Sequence, residues 1–140
     1  DARARECTNE KIRASGLQNV REPLNLNVQA NLWPETSFAA LICINMVHIS
    51  PWESTTALFA RARSTLVEGS PLFLYGPYIQ PEVPTVPTNL AFDESLKLRN
   101  PLWGLRNVHE MSLEAAKYGF LLENVIEMPA NNLSILFRLS

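Results

Sequence analysis

The chain has 140 residues, 46% of them hydrophobic and 19% charged, and its formal net charge at pH 7 is −2. This size and composition predict one globular domain over residues 1–140, and the slight negative charge argues against a nucleic-acid partner. No apolar run reaches the roughly 18 residues that a membrane-spanning helix requires, and the charged N-terminus lacks the apolar stretch of a signal peptide. We therefore expect a cytoplasmic protein with no membrane partner.

Cysteines and histidines are few, which limits the chemistry that the sequence predicts. Cys7 and Cys43 are too few for a disulfide framework, and Cys43 lies in an apolar run where a small buried side chain is expected. With His48 and His109 as the only histidines, a histidine-rich metal centre is excluded. The sequence predicts no metal site.

The first third of the chain predicts one helix and two strands. Residues 1–15 favour a helix that Gly16 ends in the left-handed conformation. Residues 19–28 carry apolar side chains at alternate positions and predict a strand. Residues 31–36 predict a loop, and the apolar run 38–46 predicts a strand that is covered on both faces.

The next helix has the clearest predicted start in the sequence. Ser50 can act as the N-cap, Pro51 suits the first helical position, and Glu53 completes a capping box. Gly69 is predicted to end this helix, and residues 71–78 predict the strand that follows it. Strand, helix and strand in this order form the unit from which parallel sheets build ligand sites at their carboxyl edge.

The remaining elements complete an α/β order. The proline-rich residues 80–87 predict an extended loop that is long enough to be a lid over a site, and a helix is predicted at 90–99. Asn107 and Glu110 predict a further capped helix, which Gly119 ends. The last two strands, 120–127 and 133–139, are joined by so short a link that they are expected to be antiparallel.

Four segments of the chain resemble one known family. CINMVHISPW, LFLYGPY, FDESLKLRNPLWGLR and MPANN are similar to the methyltransferase-like 26 family, a domain of unknown function with the fold of S-adenosylmethionine-dependent methyltransferases. The resemblance runs over nearly all of the chain. It implies a Rossmann-like class I methyltransferase sheet, mostly parallel with an antiparallel C-terminal strand, and S-adenosylmethionine as the cofactor.

The resemblance also implies that the first strands of that fold are absent from these residues. In the family, a strand, a glycine-rich turn and a second strand with an acidic end precede the position of Asp1, and the glycine turn approaches the methionine part of the cofactor. Without them, residues 20–28 would lack a neighbour and strand 38–46 would expose an edge, which is costly for unpaired backbone. We expect an upstream segment or a second copy of the chain to cover that edge.

The first candidate site residues follow the ends of the predicted strands, where the resembled fold brings cofactor and acceptor together. Asn45 and Met46 are expected to bind the cofactor. His48 could act as a general base or orient the acceptor, or instead pack at the start of a helix. Tyr75 is a second catalytic candidate and Tyr78 could line the acceptor pocket, although both could be ordinary packing residues.

Asn27 and Val28 are candidates for binding the adenine of the cofactor. The resembled family usually has aspartate in place of Asn27, within a Leu-Asp-Val sequence, and that acid accepts a hydrogen bond from the adenine amino group. An amide oxygen can still accept this bond, but without its charge-assisted component. A turn asparagine at the end of a strand is the alternative.

The remaining candidates are the substrate-binding residues Asn89, Arg106, Asn131 and Asn132. Arg106 lies in a helical insertion that matches the family and could hold a carboxylate or phosphate with two hydrogen bonds. In the same insertion, Asp93 and Arg99 are expected to pair with each other. The two adjacent asparagines could read a polar substrate or simply suit a tight turn.

Two functions are consistent with these residues. The first is transfer of a methyl group from S-adenosylmethionine to an unidentified small-molecule or peptide acceptor. The second is a non-catalytic scaffold, derived from a methyltransferase, that binds a ligand or partner without turnover. The missing glycine turn and Asn27 favour the scaffold for the residues present, and a titration with the cofactor separates the two.

Overall fold

The computed structural model describes residues 1–30, 33 and 37–140. Contacts within the chain separate two compact units, Asp1–Trp33 and Pro34–Ser140. In the first unit, helix α1 spans Ala2–Ser15, and the Asp1 side chain caps its start by accepting two backbone N–H groups. Gly16 ends the helix with a left-handed φ of 69°. The first predicted helix and its glycine stop are confirmed.

The strand predicted at residues 19–28 is wrong. This segment is irregular and closes in a turn, in which the Ala30 N–H donates to the Asn27 carbonyl. A strand requires a neighbour that receives its backbone hydrogen bonds, and no described strand pairs with this segment. Leu24 and Leu26 are accordingly 65% and 44% exposed. Apart from Trp33, the loop predicted at 31–36 lies outside the described residues.

The second unit contains three helices and six strands among its described residues. The helices are α2 (Trp52–Thr65), α3 (Pro87–Arg99) and α4 (Val108–Ala116). The strands are β1 (Leu41–Ile44), β2 (Pro71–Gly76), β3 (Tyr78–Ile79), β4 (Arg106–Asn107), β5 (Phe120–Met128) and β6 (Asn132–Leu139). No helix among the described residues is long and apolar enough to cross a lipid bilayer.

The main sheet has the strand order β1-β2-β6-β5. β1 and β2 are parallel, whereas β6 is antiparallel to both β2 and β5. Three of the four strands therefore run in one direction and the C-terminal strand runs against them, which confirms the predicted sheet. Within the described part of the chain, β1 pairs only with β2, so its other edge has no strand partner there.

The core lies on one face of this sheet. Phe59 of α2 packs against Phe120 and Phe137, with ring centroids 5.9 Å and 5.5 Å away, and all three side chains are fully buried. The other face is more open, since Ile42 and Ile44 of β1 are 65% and 60% exposed. The expectation that this strand is covered on both faces is therefore wrong.

The start and end of α2 also differ from the prediction. The N-cap is Pro51, and no side chain caps the helix. The Ser50 hydroxyl donates instead to the Met46 carbonyl at 2.9 Å, so that it ties down the turn before the helix. The helix ends at Thr65, four residues before Gly69. Gly69 lies instead in the turn that leads to β2, where it has a φ of 81°.

Prolines explain the other shifted boundaries. Pro77 has no N–H to donate, and it separates β2 from the short strand β3, so the single strand predicted at 71–78 is two strands. Pro87 is the first residue of α3, a position that suits a residue without an N–H, so this helix starts before residue 90. The Asn107 cap of α4 and the antiparallel pairing of β5 with β6 are confirmed.

Candidate functional site

The site begins where the parallel strands β1 and β2 end. After β1 the chain turns at Asn45, which has a left-handed φ of 55° and donates its N–H to the Tyr75 carbonyl at 2.9 Å. A single 3₁₀ turn, Val47–Ile49, follows and buries His48, which is 2% exposed. One residue of left-handed backbone thus turns the chain from the sheet edge into the turn that carries the imidazole.

The backbone of β2 lies directly against these side chains at Gly76. A Cβ atom at Gly76 would lie 2.9 Å from His48 Cε1, closer than real Cβ atoms come, and 3.0 Å from Asn45 Oδ1, which is a very tight contact. The edge of the His48 ring also meets the ring of Phe92 on α3, with centroids 5.9 Å apart. Glycine is therefore required for β2 to approach the two candidate side chains.

His48 is neutral at physiological pH. Burial, together with the positive charge of Arg106, lowers the pKa of its imidazole to about 4. Its Nδ1 atom is buried and has no hydrogen-bond partner among the described residues. An imidazole with so low a pKa is a weak general base near pH 7, so it suits hydrogen bonding to a ligand better than proton abstraction.

Arg106 holds this turn from the outside. Its guanidinium donates to the carbonyls of Val47 at 3.0 Å, Ser50 at 2.6 Å and Leu102 at 3.1 Å. It also lies over the ring of Trp52, with its Cζ 5.6 Å from the centroid. These contacts explain Arg106 as a residue that positions the His48 turn, whereas binding of a substrate by Arg106 stays a prediction.

Two neighbouring pockets open at this edge of the sheet. The first, which we call the strand-end pocket, has a volume of about 460 Å³, and no formally charged residue lines it at pH 7. Its lining includes three amides, one imidazole and two apolar rings, which belong to Asn45, His48, Pro77, Asn89, Phe92 and Asn132. Its lining is thus made of uncharged amides, a neutral imidazole and apolar rings.

The second, which we call the lid pocket, has a volume of about 200 Å³ and shares Asn89 and Asn132 with the first. It is lined by residues of the segment 80–86, which is the predicted lid 80–87 without Pro87, and by residues of the turn that joins β5 to β6. Tyr78 forms part of its wall and is 5% exposed. Burial raises the pKa of the Tyr78 phenol well above its usual value, so the phenol keeps its proton.

A buried amide hydrogen bond joins the two elements that line both pockets. The Asn89 side chain is 9% exposed, and its Nδ2 donates to the Asn131 carbonyl at 3.0 Å, which joins α3 to the β5–β6 turn. In that turn, Ala130 and Asn131 have left-handed φ values of 59° and 57°. Together with Asn45, these are the non-glycine residues with positive φ in the described part of the chain, so backbone strain is concentrated at the pockets.

Ala130 provides a test of this strain. Alanine has no side-chain group that could compensate for left-handed backbone, whereas glycine adopts it without steric cost. We expect Ala130→Gly to raise the free energy of unfolding by about 1 kcal/mol, as measured by urea denaturation. Ala116→Gly, in the last turn of α4, is the control and should lower it by up to about 1 kcal/mol. Equal losses in both variants would contradict the strain.

The structure brings together six of the residues predicted from the sequence. The strand-end pocket and the lid pocket are lined by Asn45, His48, Tyr78, Asn89, Asn131 and Asn132. Met46, Tyr75 and Arg106 line neither pocket. Asn27 and Val28 belong to the first unit, where the Asn27 side chain accepts the Gln29 N–H at 3.0 Å within a turn.

Among the lid-pocket residues that the sequence prediction did not name are Gln80 and Glu127. Gln80 directly follows β3, and Glu127 lies near the end of β5. This position near a strand end is the sequence feature that could have identified them. The expected pair of Asp93 with Arg99 is wrong. Asp93 pairs with Lys97, which lies one helical turn away, while Arg99 stacks over the Trp103 ring at 5.2 Å.

The described residues hold no group of three or more histidine, cysteine, aspartate or glutamate side chains that could bind a metal ion. Burial also raises the pKa of the Cys43 thiol to about 11. At neutral pH this thiol is protonated and therefore a poor nucleophile. The polar chemistry of the two pockets thus rests on their amides, the neutral imidazole, the Tyr78 phenol, the Thr85 hydroxyl and the Glu127 carboxylate.

Solved structures share this fold at low sequence identity. LaPhzM is similar with a TM-score of 0.81 and 12% identity over 100% of this chain and 41% of that protein. An O-methyltransferase family protein from Burkholderia thailandensis is similar with a TM-score of 0.81 and 11% identity over 97% of this chain and 41% of that one. CalO1, a methyltransferase in calicheamicin biosynthesis solved in its SAH-bound form, has a TM-score of 0.63 and 12% identity, over 73% of this chain and 30% of CalO1.

These likenesses establish the fold of methyltransferases for this chain, which spans about two fifths or less of the length of those proteins. The family comparison covers more of the sequence. Residues 1–139 match the model of a family that is described as "Protein of unknown function (DUF938)". The chain therefore belongs to the DUF938 family.

Proposed function

We propose that the protein is an S-adenosylmethionine-dependent methyltransferase of the methyltransferase-like 26 type, acting on a small-molecule or peptide acceptor. The observation that carries the proposal is the uncharged strand-end pocket at the carboxyl ends of two parallel strands of a methyltransferase sheet. Ligands of open α/β sheets bind at this edge. Its volume of about 460 Å³ falls in the range of small-molecule sites.

The residues of this pocket fit the charge of the cofactor. When bound, S-adenosylmethionine supplies an electrophilic methyl group on a positively charged sulfonium. A protonated imidazole would repel that charge, but burial keeps His48 neutral. No other ionisable side chain lines the pocket, so nothing there opposes a cation.

The chain's own groups would bind and orient the reactants. Asn45 lines the strand-end pocket with an amide, and its Oδ1 lies close to Gly76 because glycine has no Cβ at that point of β2. The unpaired Nδ1 of His48 can exchange a hydrogen bond with a bound group. The shared residues Asn89 and Asn132 lie between the two pockets, which suits a cofactor in one and an acceptor in the other. Holding two reactants in line is the main requirement of methyl transfer.

Calorimetric titration with S-adenosylhomocysteine tests the proposal. We expect binding in the micromolar range, weakened at least tenfold by Asn45→Ala, since this variant removes an amide from the pocket wall. Asn124→Ala, an exposed asparagine on β5, is the matched control and should bind as the unmodified protein does. The same titration of Asn27→Ala tests the predicted contact with adenine.

Two outcomes would contradict this function. The absence of any heat with the unmodified protein would reject the cofactor. If the cofactor binds but no methyl group is transferred to any acceptor tested, the result would support the non-catalytic scaffold instead. Methyl transfer is measured with a radiolabelled methyl donor and by mass spectrometry of the methylated acceptor. This measurement distinguishes the scaffold from an enzyme.

A further inference from the structure

The lid pocket contains more hydrogen-bond acceptors than its residue types suggest. Asn89 and Asn132 each carry one amide nitrogen and one amide oxygen that could face a ligand. In both residues a backbone carbonyl takes a hydrogen bond from the nitrogen: Asn89 Nδ2 donates to Asn131 at 3.0 Å, and Asn132 Nδ2 donates to Pro129 at 3.2 Å. A carbonyl can only accept, so these bonds fix which side of each amide is the nitrogen.

The two amide oxygens are left as acceptors at the pocket. No described group donates to Asn89 Oδ1 or to Asn132 Oδ1. Glu127 adds a carboxylate to the same wall, and within the described part of the chain it forms no ion pair. No lysine, arginine or histidine lines the pocket. Its only formal charge is therefore negative.

The pocket also has apolar lining residues. Val83, Pro84 and Val86 come from the lid segment, and Met128 and Leu133 come from β5 and β6. A ligand that fits this mixed lining has an apolar body and a group that donates hydrogen bonds and carries positive charge. With a volume of about 200 Å³, the pocket suits a ligand with one ring or a short chain.

We propose that the lid pocket is the acceptor subsite and that it selects a small apolar amine, which binds as an ammonium held by Glu127 and by the amide oxygens of Asn89 and Asn132. For transfer, the ammonium gives one proton to the Glu127 carboxylate, and the lone pair of the resulting amine forms the new bond to the methyl group while the sulfonium–methyl bond breaks and S-adenosylhomocysteine leaves. The inference rests on the proposed function only in naming the bound amine as the acceptor. A carboxylate or phosphate ligand would face Glu127 without a compensating cation, so the wall opposes anions. Neutral ligands of the same shape lack the attraction to the carboxylate.

Three probes of equal ring size test this selection: benzylamine, benzyl alcohol and benzoate. We expect benzylamine to bind more tightly than benzyl alcohol by about fivefold, because an exposed ion pair contributes about 1 kcal/mol, and we expect benzoate not to bind. Chemical-shift titrations of the full chain measure all three affinities, with and without saturating S-adenosylhomocysteine. Shifts should map to the residues of the lid pocket.

Glu127→Gln isolates the role of the carboxylate. This variant should bind benzylamine and benzyl alcohol equally, since it keeps the shape of the side chain and removes its charge. Glu82→Gln is the matched control: Glu82 is exposed on the same lid segment but does not line the pocket. It should keep the fivefold preference, so that a general effect of net charge is separated from a local one.

The possible outcomes separate this inference from the proposed function. Benzoate binding as tightly as benzylamine, or a preference that survives Glu127→Gln, would overturn the inference. If S-adenosylhomocysteine still binds in that case, the proposed function is unaffected. Conversely, amine selection through Glu127 without any cofactor binding would support an amine site and would reject the methyltransferase.

Discussion

Gly76→Ala is expected to destabilise the protein by about 3 kcal/mol and to lower its affinity for S-adenosylhomocysteine more than tenfold. The added Cβ would lie 2.9 Å from His48 Cε1 and 3.0 Å from Asn45 Oδ1, so both side chains must move. Overpacking of this kind typically costs about 1–3 kcal/mol. The φ of 155° at Gly76 lies in a region that alanine rarely adopts and adds to that cost.

Gly69→Ala is the matched control for the backbone term. Gly69 has a positive φ of 81°, but nothing lies within 4 Å of a Cβ at that position. We expect this variant to lose about 1 kcal/mol of stability and to keep its affinity for the ligand. Urea denaturation and calorimetry measure both quantities. Equal ligand affinity in the two variants would mean that the contact of Gly76 with Asn45 and His48 does not shape the site.

The second large effect is a loss of stability as the pH falls from about 6.5 to about 4. The pKa of His48 is near 6.5 in the unfolded chain and about 4 in the folded one, so between these values only the unfolded state binds the proton. Above pH 6.5 His48 makes no difference to stability. Below pH 4 its contribution reaches a limit of about 3 kcal/mol in favour of unfolding.

His48→Asn separates this effect from the titration of carboxylates. The free energy of unfolding of the variant should fall less steeply than that of the unmodified protein between pH 6.5 and pH 4, whatever the offset at pH 7. Nitrogen-detected NMR of the His48 imidazole gives the direct measurement. An inflection of His48 near pH 6.5 in the folded protein would show that the ring is solvated.

The same low pKa bears on catalysis. If neutral His48 only orients a bound group, the titration of His48 should not change the activity between pH 5 and pH 8. A general base with an ordinary pKa would instead produce a rising limb near pH 6.5. The pH profile of activity thus distinguishes between the roles of general base and of orienting residue that the sequence left open for His48.

Local sequence patterns determined the parts of the fold that depend on short-range chemistry. The Gly16 and Asn107 caps need only a few neighbouring residues, and both are where the sequence predicts them. The apolar run before Asn45 and the strand after Gly69 were sufficient to predict a parallel pair. From that pair follows the sheet edge at which Asn45, His48 and Tyr78 lie, because parallel strands end on the same side.

Tertiary contacts decided the rest. Residues 19–28 have the alternation of a strand, but no strand in the described part of the chain pairs with them, and Ser50 bonds the preceding turn instead of capping a helix. The burial of His48, the bonds of Arg106 to the Val47 and Ser50 carbonyls and the orientation of the Asn89 amide all depend on residues more than 20 positions away. A sequence by itself shows which polar groups are available. Desolvation sets the charge of these groups and hydrogen-bond pairing sets which donors and acceptors stay unpaired, and both exist only once the chain is folded.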